Sequence, residues 1–137
     1  MRTVLDTNVL ISALLLRDSV TRRAFDAAFA KGKVLVSFEL LAELNSVLSR
    51  KRFRKYVDET DVRRFAAALL REAEWVNVVT SITTCRDQAD DKILALALDG
   101  KATCIVTGDN DLLALDPFRG IRIQRPDQFL RHLPSIA

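Results

Sequence analysis

Carboxylates recur in this sequence at points where the chain changes direction. Asp6 closes Val4-Leu5-Asp6-Thr7-Asn8, and Asp109 and Asp111 follow the apolar run Ile105-Val106 in Thr107-Gly108-Asp109-Asn110-Asp111. Asp87, Asp90 and Asp91 precede Lys92-Ile93-Leu94-Ala95-Leu96. Glu43 lies in Leu40-Leu41-Ala42-Glu43-Leu44, where helical spacing sets it at the border of an apolar stripe, with Glu39 further out. Singly, each acid has an ordinary explanation. Asp and Asn bond nearby amides in turns, and acids in a first helical turn suit the helix dipole. Asp91 is harder to account for, because its neighbours three, four and seven residues on are Leu94, Ala95 and Leu98, and a carboxylate on a core-facing position needs a partner. Asp90 has apolar helix neighbours too, so the pattern does not choose between them. Carboxylates held close together stay ionised only beside a compensating cation. Lys92 is the one obvious base among these positions. An all-oxygen set of this kind selects a hard divalent cation, Mg²⁺ or Mn²⁺, over zinc.

The elements that would position these acids alternate between strand and helix. The pattern predicts strands over Arg2–Leu5, Lys33–Ser37, Trp75–Val79, Thr103–Thr107 and Ile121–Ile123. Between them it predicts helices over Val9–Leu16, Val20–Ala30, Phe38–Leu48, Val62–Glu74 and from Asp87 to Asp99, with a short last helix from Pro126. Ser19 and Ser37 are the expected caps of the second and third helices, Thr60 or Asp61 that of the fourth, and Gly32 and Gly100 end two of them. Such alternation, with continuously apolar runs at Val34-Leu35-Val36 and Ile105-Val106, predicts an α/β fold: a three-layer α/β/α sandwich around a central parallel sheet of four to five strands. Ligands of open parallel sheets bind beyond the carboxyl ends of the strands, where Asp6 and Asp109 would meet if their strands are neighbours.

The chain of 137 residues suits one domain over 1–137 and is long enough to bury a core without a metal or disulfide staple. Cys85 and Cys104 make no disulfide framework, and Cys104 reads as a buried thiol, which fits a reducing, cytoplasmic location. No apolar run approaches the roughly 20 residues of a membrane span, so no membrane partner is expected. The single histidine, His132, argues against a Ser-His-Asp triad or a His/Cys zinc site, and no phosphate-binding G-x-x-x-x-G-K-[ST] loop occurs.

A net charge of +3 permits a nucleic-acid partner without requiring one. Its distribution is more informative, since five of the six residues Arg50-Lys51-Arg52-Phe53-Arg54-Lys55 are basic and Arg63-Arg64 follow. Such a run is either a solvated helix end or a patch that attracts phosphates and positions a strand without reading it.

Taken together, Val4-Leu5-Asp6-Thr7-Asn8-Val9-Leu10, the Glu43 helix, Asp87-Gln88-Ala89-Asp90-Asp91-Lys92 and Ile105-Val106-Thr107-Gly108-Asp109-Asn110-Asp111-Leu112-Leu113 resemble the PIN-domain family. The likeness runs in order over nearly the whole chain and is similar to the prokaryotic PIN toxins of toxin–antitoxin pairs. It implies a PIN-like α/β/α sandwich, a Mg²⁺ or Mn²⁺ site and cleavage of single-stranded RNA. It places the family's acidic residues on Asp6, Glu43, Asp91 and Asp109, with Asn8, Thr107 and Asp111 in support and Asp87 and Asp90 joining the acidic patch. The Asp90-Asp91 doublet leaves the third acid open by one residue; Asp91 is taken because it directly starts the apolar helix. The basic residues Arg50, Lys51, Arg52, Arg54 and Lys55 would guide RNA toward the acids. The resemblance also implies a cognate antitoxin and a homodimer.

Two other functions compete with this expectation. An Asp-nucleophile phosphatase or phospho-receiver also places aspartate after a first strand. The former wants a second Asp where this chain has Asn8, and the latter a lysine that Thr107-Gly108-Asp109 does not supply. The other is a catalytically inactive module that binds RNA or protein.

Overall fold

The computed structural model describes residues 1–133, so the last four positions of the expected 1–137 domain lie outside the described residues. Its centre is a five-stranded parallel sheet in the order β3-β2-β1-β4-β5, flanked by helices. The strands are β1 (Arg2–Leu5), β2 (Lys33–Val36), β3 (Glu74–Trp75), β4 (Cys104–Val106) and β5 (Arg122–Gln124). The helices are α1 (Thr7–Leu15), α2 (Val20–Lys31), α3 (Phe38–Leu48), α4 (Lys51–Arg54), α5 (Glu59–Glu72), α6 (Gln88–Asp99), α7 (Asn110–Leu113) and α8 (Pro126–Arg131). The expected α/β/α architecture is the observed one. Val4, Val34, Leu35, Val36, Ile105 and Val106 are fully or almost fully buried, because helices cover the central strands. Each large side chain removed from water in this way contributes about 1.5–3 kcal/mol.

The chain leaves β1 toward β2 and β3 on one side and returns through β4 to β5 on the other. The switch point therefore falls between β1 and β4, which pair as Thr3 with Cys104, Val4 with Ile105 and Leu5 with Val106. Asp6 and Thr107, the next residue of each strand, emerge side by side at that crevice.

Several local expectations are corrected. The third strand is two residues long and starts at Glu74, not five residues from Trp75. Its continuation is drawn off the sheet edge onto α6, where the Asp99 carboxylate accepts the Val79 amide at 2.7 Å, the Thr80 amide at 2.9 Å and the Thr80 hydroxyl. Eight residues earlier on α6, Asp91 Oδ1 accepts the Thr84 amide at 3.0 Å and the Cys85 amide at 2.8 Å. Residues 79–85 thus form an extended strap along α6, held at both ends by carboxylates. Helix α5 begins at Glu59 because Asp58 accepts the Thr60 amide, so neither Thr60 nor Asp61 is its cap. Ser19 and Ser37 cap α2 and α3 as expected.

Two glycines matter through close approach. Gly100 ends α6 in ordinary helical conformation, and the left-handed residue is its successor Lys101, at φ 54°. A β-carbon on Gly100 would lie 2.6 Å from Leu35 Cδ1. On Gly32 it would lie 2.0 Å from the Met1 carbonyl oxygen, which accepts the Lys33 amide at 2.8 Å where β2 starts. Gly32→Ala has no flexible neighbour to displace and is expected to destabilise by about 1–3 kcal/mol, read as a lower urea midpoint at unchanged slope. An unchanged midpoint would place this backbone contact wrongly.

Candidate active site

Four segments converge on the crevice between β1 and β4. Asp6 follows β1, is 6% exposed, and takes a hydrogen bond from Thr107 Oγ1 at 2.7 Å on its Oδ2. The same hydroxyl accepts the Asp109 amide at 3.0 Å. Thr107 is fully buried and therefore fixes the first acid and the backbone of the second through one oxygen. Asp109 Oδ1 accepts the Asp111 amide at 2.8 Å and caps α7, a helical turn the sequence pattern did not reveal. From α3, Glu43 Oε2 accepts the Thr7 hydroxyl at 3.2 Å, and its charge acts on Asp6. Thr7 was not singled out from the sequence; its signal was its place directly after Asp6 and at the head of α1.

The fourth segment is the start of α6, and here the structure distinguishes the doublet. Asp90, 5% exposed, turns into the crevice, where its carboxylate lies with those of Asp109 and Asp111 within a 4.8 Å group. Its buried Oδ2 has no hydrogen-bond donor. Asp91, one residue on and about 100° further round the helix, turns away to the strap amides. The structure therefore groups Asp90, and not Asp91, with Asp109 and Asp111, where the sequence reading favours Asp91. The apolar face that made Asp91 look unsatisfied is real, but its partner is local backbone.

Charge crowding is visible in the ionisation of these groups. Burial raises Asp6 above the usual carboxylate range, against hydrogen bonds from Thr107 and Thr7, and the charges of Asp109 and Glu43 raise it further. Burial likewise pushes Asp90 up to about 7, with Asp109, Asp6 and Asp87 adding to the effect. Cys85 is held up at about 12 by burial and the neighbouring Asp91, Asp90 and Asp109 carboxylates, so its thiol stays neutral. The other supporting residues are peripheral. Asp87 is exposed and caps α6 through the Ala89 amide at 2.9 Å. Asn8 is exposed in the first turn of α1, and Lys92, the one base among the acids in sequence, is also exposed. The basic residues Arg50, Lys51, Arg52, Arg54 and Lys55 lie on and around α4, beyond the end of α3.

A parallel sheet in this strand order, with Asp6, Thr107 and Asp109 at its switch point and acids from two helices closing on them, is the arrangement of a PIN domain. Residues 2–111 match the PIN domain family, and the chain belongs to that family. The chain is 32% identical over 116 residues to the uncharacterized protein MJ1680 of Methanocaldococcus jannaschii, covering 83% of this chain and 74% of that protein. Two solved structures share the fold at low identity. One is PAE2754 from Pyrobaculum aerophilum, with a TM-score of 0.65, 15% identity, and coverage of 96% of this chain and 88% of that one. The other is VapBC2 from Rickettsia felis bound to a DNA fragment from its promoter, with a TM-score of 0.63, 14% identity, and coverage of 91% and 98%. Family membership supports a nuclease-type hydrolase. Among the described residues no helix is long and apolar enough to cross a membrane.

Proposed function

We propose that this protein is a metal-dependent endoribonuclease that hydrolyses phosphodiester bonds of single-stranded RNA, acting as the toxin of a toxin–antitoxin pair. The observation that carries the reading is the donorless, buried Oδ2 of Asp90, whose carboxylate is grouped with those of Asp109 and Asp111. Two carboxylates in contact with no protein cation between them call for a shared proton or a shared metal ion. The donor set is all oxygen, which fits Mg²⁺ or Mn²⁺. Asp6, Asp90 and Asp109 would hold the ion, with Asp111 and Glu43 able to contribute directly or through water. Bound there, the ion would lower the pKa of a water molecule and offset charge on the phosphoryl oxygens.

The chain's own residues do the positioning. Thr107 keeps the Asp6 carboxylate and the Asp109 backbone in register, so the two acids approach from opposite sides of the switch point. Thr7 fixes Glu43, leaving that carboxylate half-exposed at the rim, where its other oxygen can orient a water. Asn8, at the first turn of α1, can donate its side-chain amide to a phosphate. Asp91 and Asp99 hold the strap and thereby the entry to α6. The closeness of the fold to VapBC2 supports an antitoxin partner, one able to mask the acidic crevice with a basic side chain. A homodimer and a cytoplasmic location complete the proposal.

The test is cleavage of end-labelled single-stranded RNA by the purified chain with Mn²⁺, with EDTA, and by Asp6→Asn. Cleavage is expected only for the wild-type chain with metal. Equal cleavage by Asp6→Asn would overturn the reading.

A further inference from the structure

We infer that α4 and the two residues after it form a second RNA subsite, away from the carboxylates, in which a nucleobase stacks on Tyr56 while its flanking phosphates lie on Lys51, Arg52 and Lys55. The inference rests on RNA being the substrate class and adds where the flanking strand is held. Three observations carry it.

The first is charge without compensation. Arg2, Arg17, Arg22, Arg63, Arg71 and Arg131 each stand within 4.0 Å of a carboxylate. None of Arg50, Lys51, Arg52, Arg54 and Lys55 does so among the described residues; other cations such as Arg23, Lys31 and Arg122 form no ion pair either, but only here do five fall within six consecutive residues. Here five cations on six residues face solvent unpaired, a potential that attracts a polyanion.

The second is an aromatic surface with nothing on it. Tyr56 is 77% exposed, and it lines a hollow of about 430 Å³ with Arg52, Phe53 and Lys55. No carboxylate lines that hollow. An exposed ring sharing a hollow with two cations is a combination by which proteins bind single strands: each base has a stackable face and each phosphate finds a positive charge. An acidic protein segment would use the charges but leaves the ring unexplained.

The third is pre-organisation and reach. The Arg52 guanidinium sits 4.8 Å from the centroid of the Phe53 ring, and Phe53 packs on the core, so the cation is held at the mouth of the hollow. Helix α3 carries Glu43 at its middle and ends at Leu48, with α4 beginning at Lys51. At about 1.5 Å per residue the patch lies on the order of 10–20 Å from the acids, a span that a few nucleotides bridge. A strand whose scissile phosphate sits at Asp6 can rest its flank on Tyr56, which relieves the repulsion between RNA and the acidic crevice.

The test is binding, measured by fluorescence anisotropy with a 12-nucleotide mixed-sequence RNA and no added metal, for the full chain and for Tyr56→Ala, Tyr56→Phe and Lys51→Gln/Arg52→Gln/Lys55→Gln. Tyr56→Ala is expected to weaken binding by roughly 5- to 100-fold and Tyr56→Phe by less than about 2-fold. The triple variant is expected to flatten the slope of log affinity against log salt by about 2, at roughly 0.7 per phosphate lost. A blunt duplex of equal length and a polyglutamate of equal charge should compete poorly. Unchanged affinity of Tyr56→Ala, an unchanged salt slope, or equal competition by polyglutamate would overturn the subsite. Binding with these dependences by a chain that cleaves no RNA would instead retain the subsite and remove the nuclease reading. Cleavage by a chain whose Tyr56→Ala variant binds normally would do the reverse.

Discussion

Asp90→Asn is expected to lower kcat/KM for RNA cleavage by about 10²–10³-fold, the range seen when one preorganised charge-stabilising group is removed from an active site. The neighbouring Asp91→Asn is expected to stay within a few-fold of wild type. The two residues differ by one position and by their surroundings. Asp90 has a free buried oxygen and feels the charges of Asp109 and Asp6, and in the proposed site its replacement would remove both a ligand and a negative charge that draws the metal in. Asp91 spends its Oδ1 on the Thr84 and Cys85 amides, and an asparagine oxygen can accept the same two bonds. Asp91→Ala leaves those amides unpaired and should destabilise the fold by about 1–3 kcal/mol, again with a modest effect on turnover once folded. Steady-state cleavage and urea unfolding of the three variants check this together. A 10²-fold loss in Asp91→Asn at unchanged stability would return the third acid to the register first expected from sequence.

The second large effect concerns stability, pH and metal. Without a divalent ion, Asp90 titrates at about 7 in the folded protein against 3.8 for an unperturbed carboxylate. Its protonated form therefore supports the fold fully below about pH 4, and that support is lost as pH rises through about 7. Asp6 shifts in the same direction. Asp90→Asn carries no such proton, so the stability of the variant relative to the wild type should grow across pH 4–7 and level off above. Each pKa unit is worth about 1.4 kcal/mol, so the gap should reach a few kcal/mol. Divalent metal should close it. At about 100 times its dissociation constant, Mg²⁺ or Mn²⁺ adds about 2.7 kcal/mol to a protein that binds it only when folded, and Asp90→Asn should gain much less. The measurement is urea unfolding of both proteins at several pH values with and without metal. A gap independent of pH, or equal stabilisation of both proteins by metal, would show that the crevice does not concentrate charge.

The sequence determined a good deal by itself. Period and punctuation placed β1, β2, β4, α2, α3 and α6 within a residue or two, because Ser19, Ser37 and Asp87 are strong local caps and Val34–Val36 and Ile105–Val106 have no alternative to burial. The acidic motifs were legible because acids recur at strand ends and at a helix start together, although each alone has an ordinary turn or capping role. Less legible were features whose cause is a distant partner. The third strand is cut to two residues by Asp99, which lies 19 and 20 positions from the amides it captures. The strap conceals the reason for an aspartate on an apolar helix face. Helix α7 depends on Asp109 serving simultaneously as a cap and as a member of the acidic group.

What the sequence could not decide was which member of the Asp90-Asp91 doublet faces the crevice. Both have apolar neighbours at helical spacing, and a helix drawn from its own residues has no preferred rotation about its axis at that resolution. The packing of α6 against β1, β2 and α3, with the strap held by Asp91 and Asp99, sets the rotation. Once it is set, about 100° of helical turn separates a carboxylate with two amide partners from one with none. Residue chemistry thus wrote the set of acids into the chain, and tertiary packing chose which of them meet.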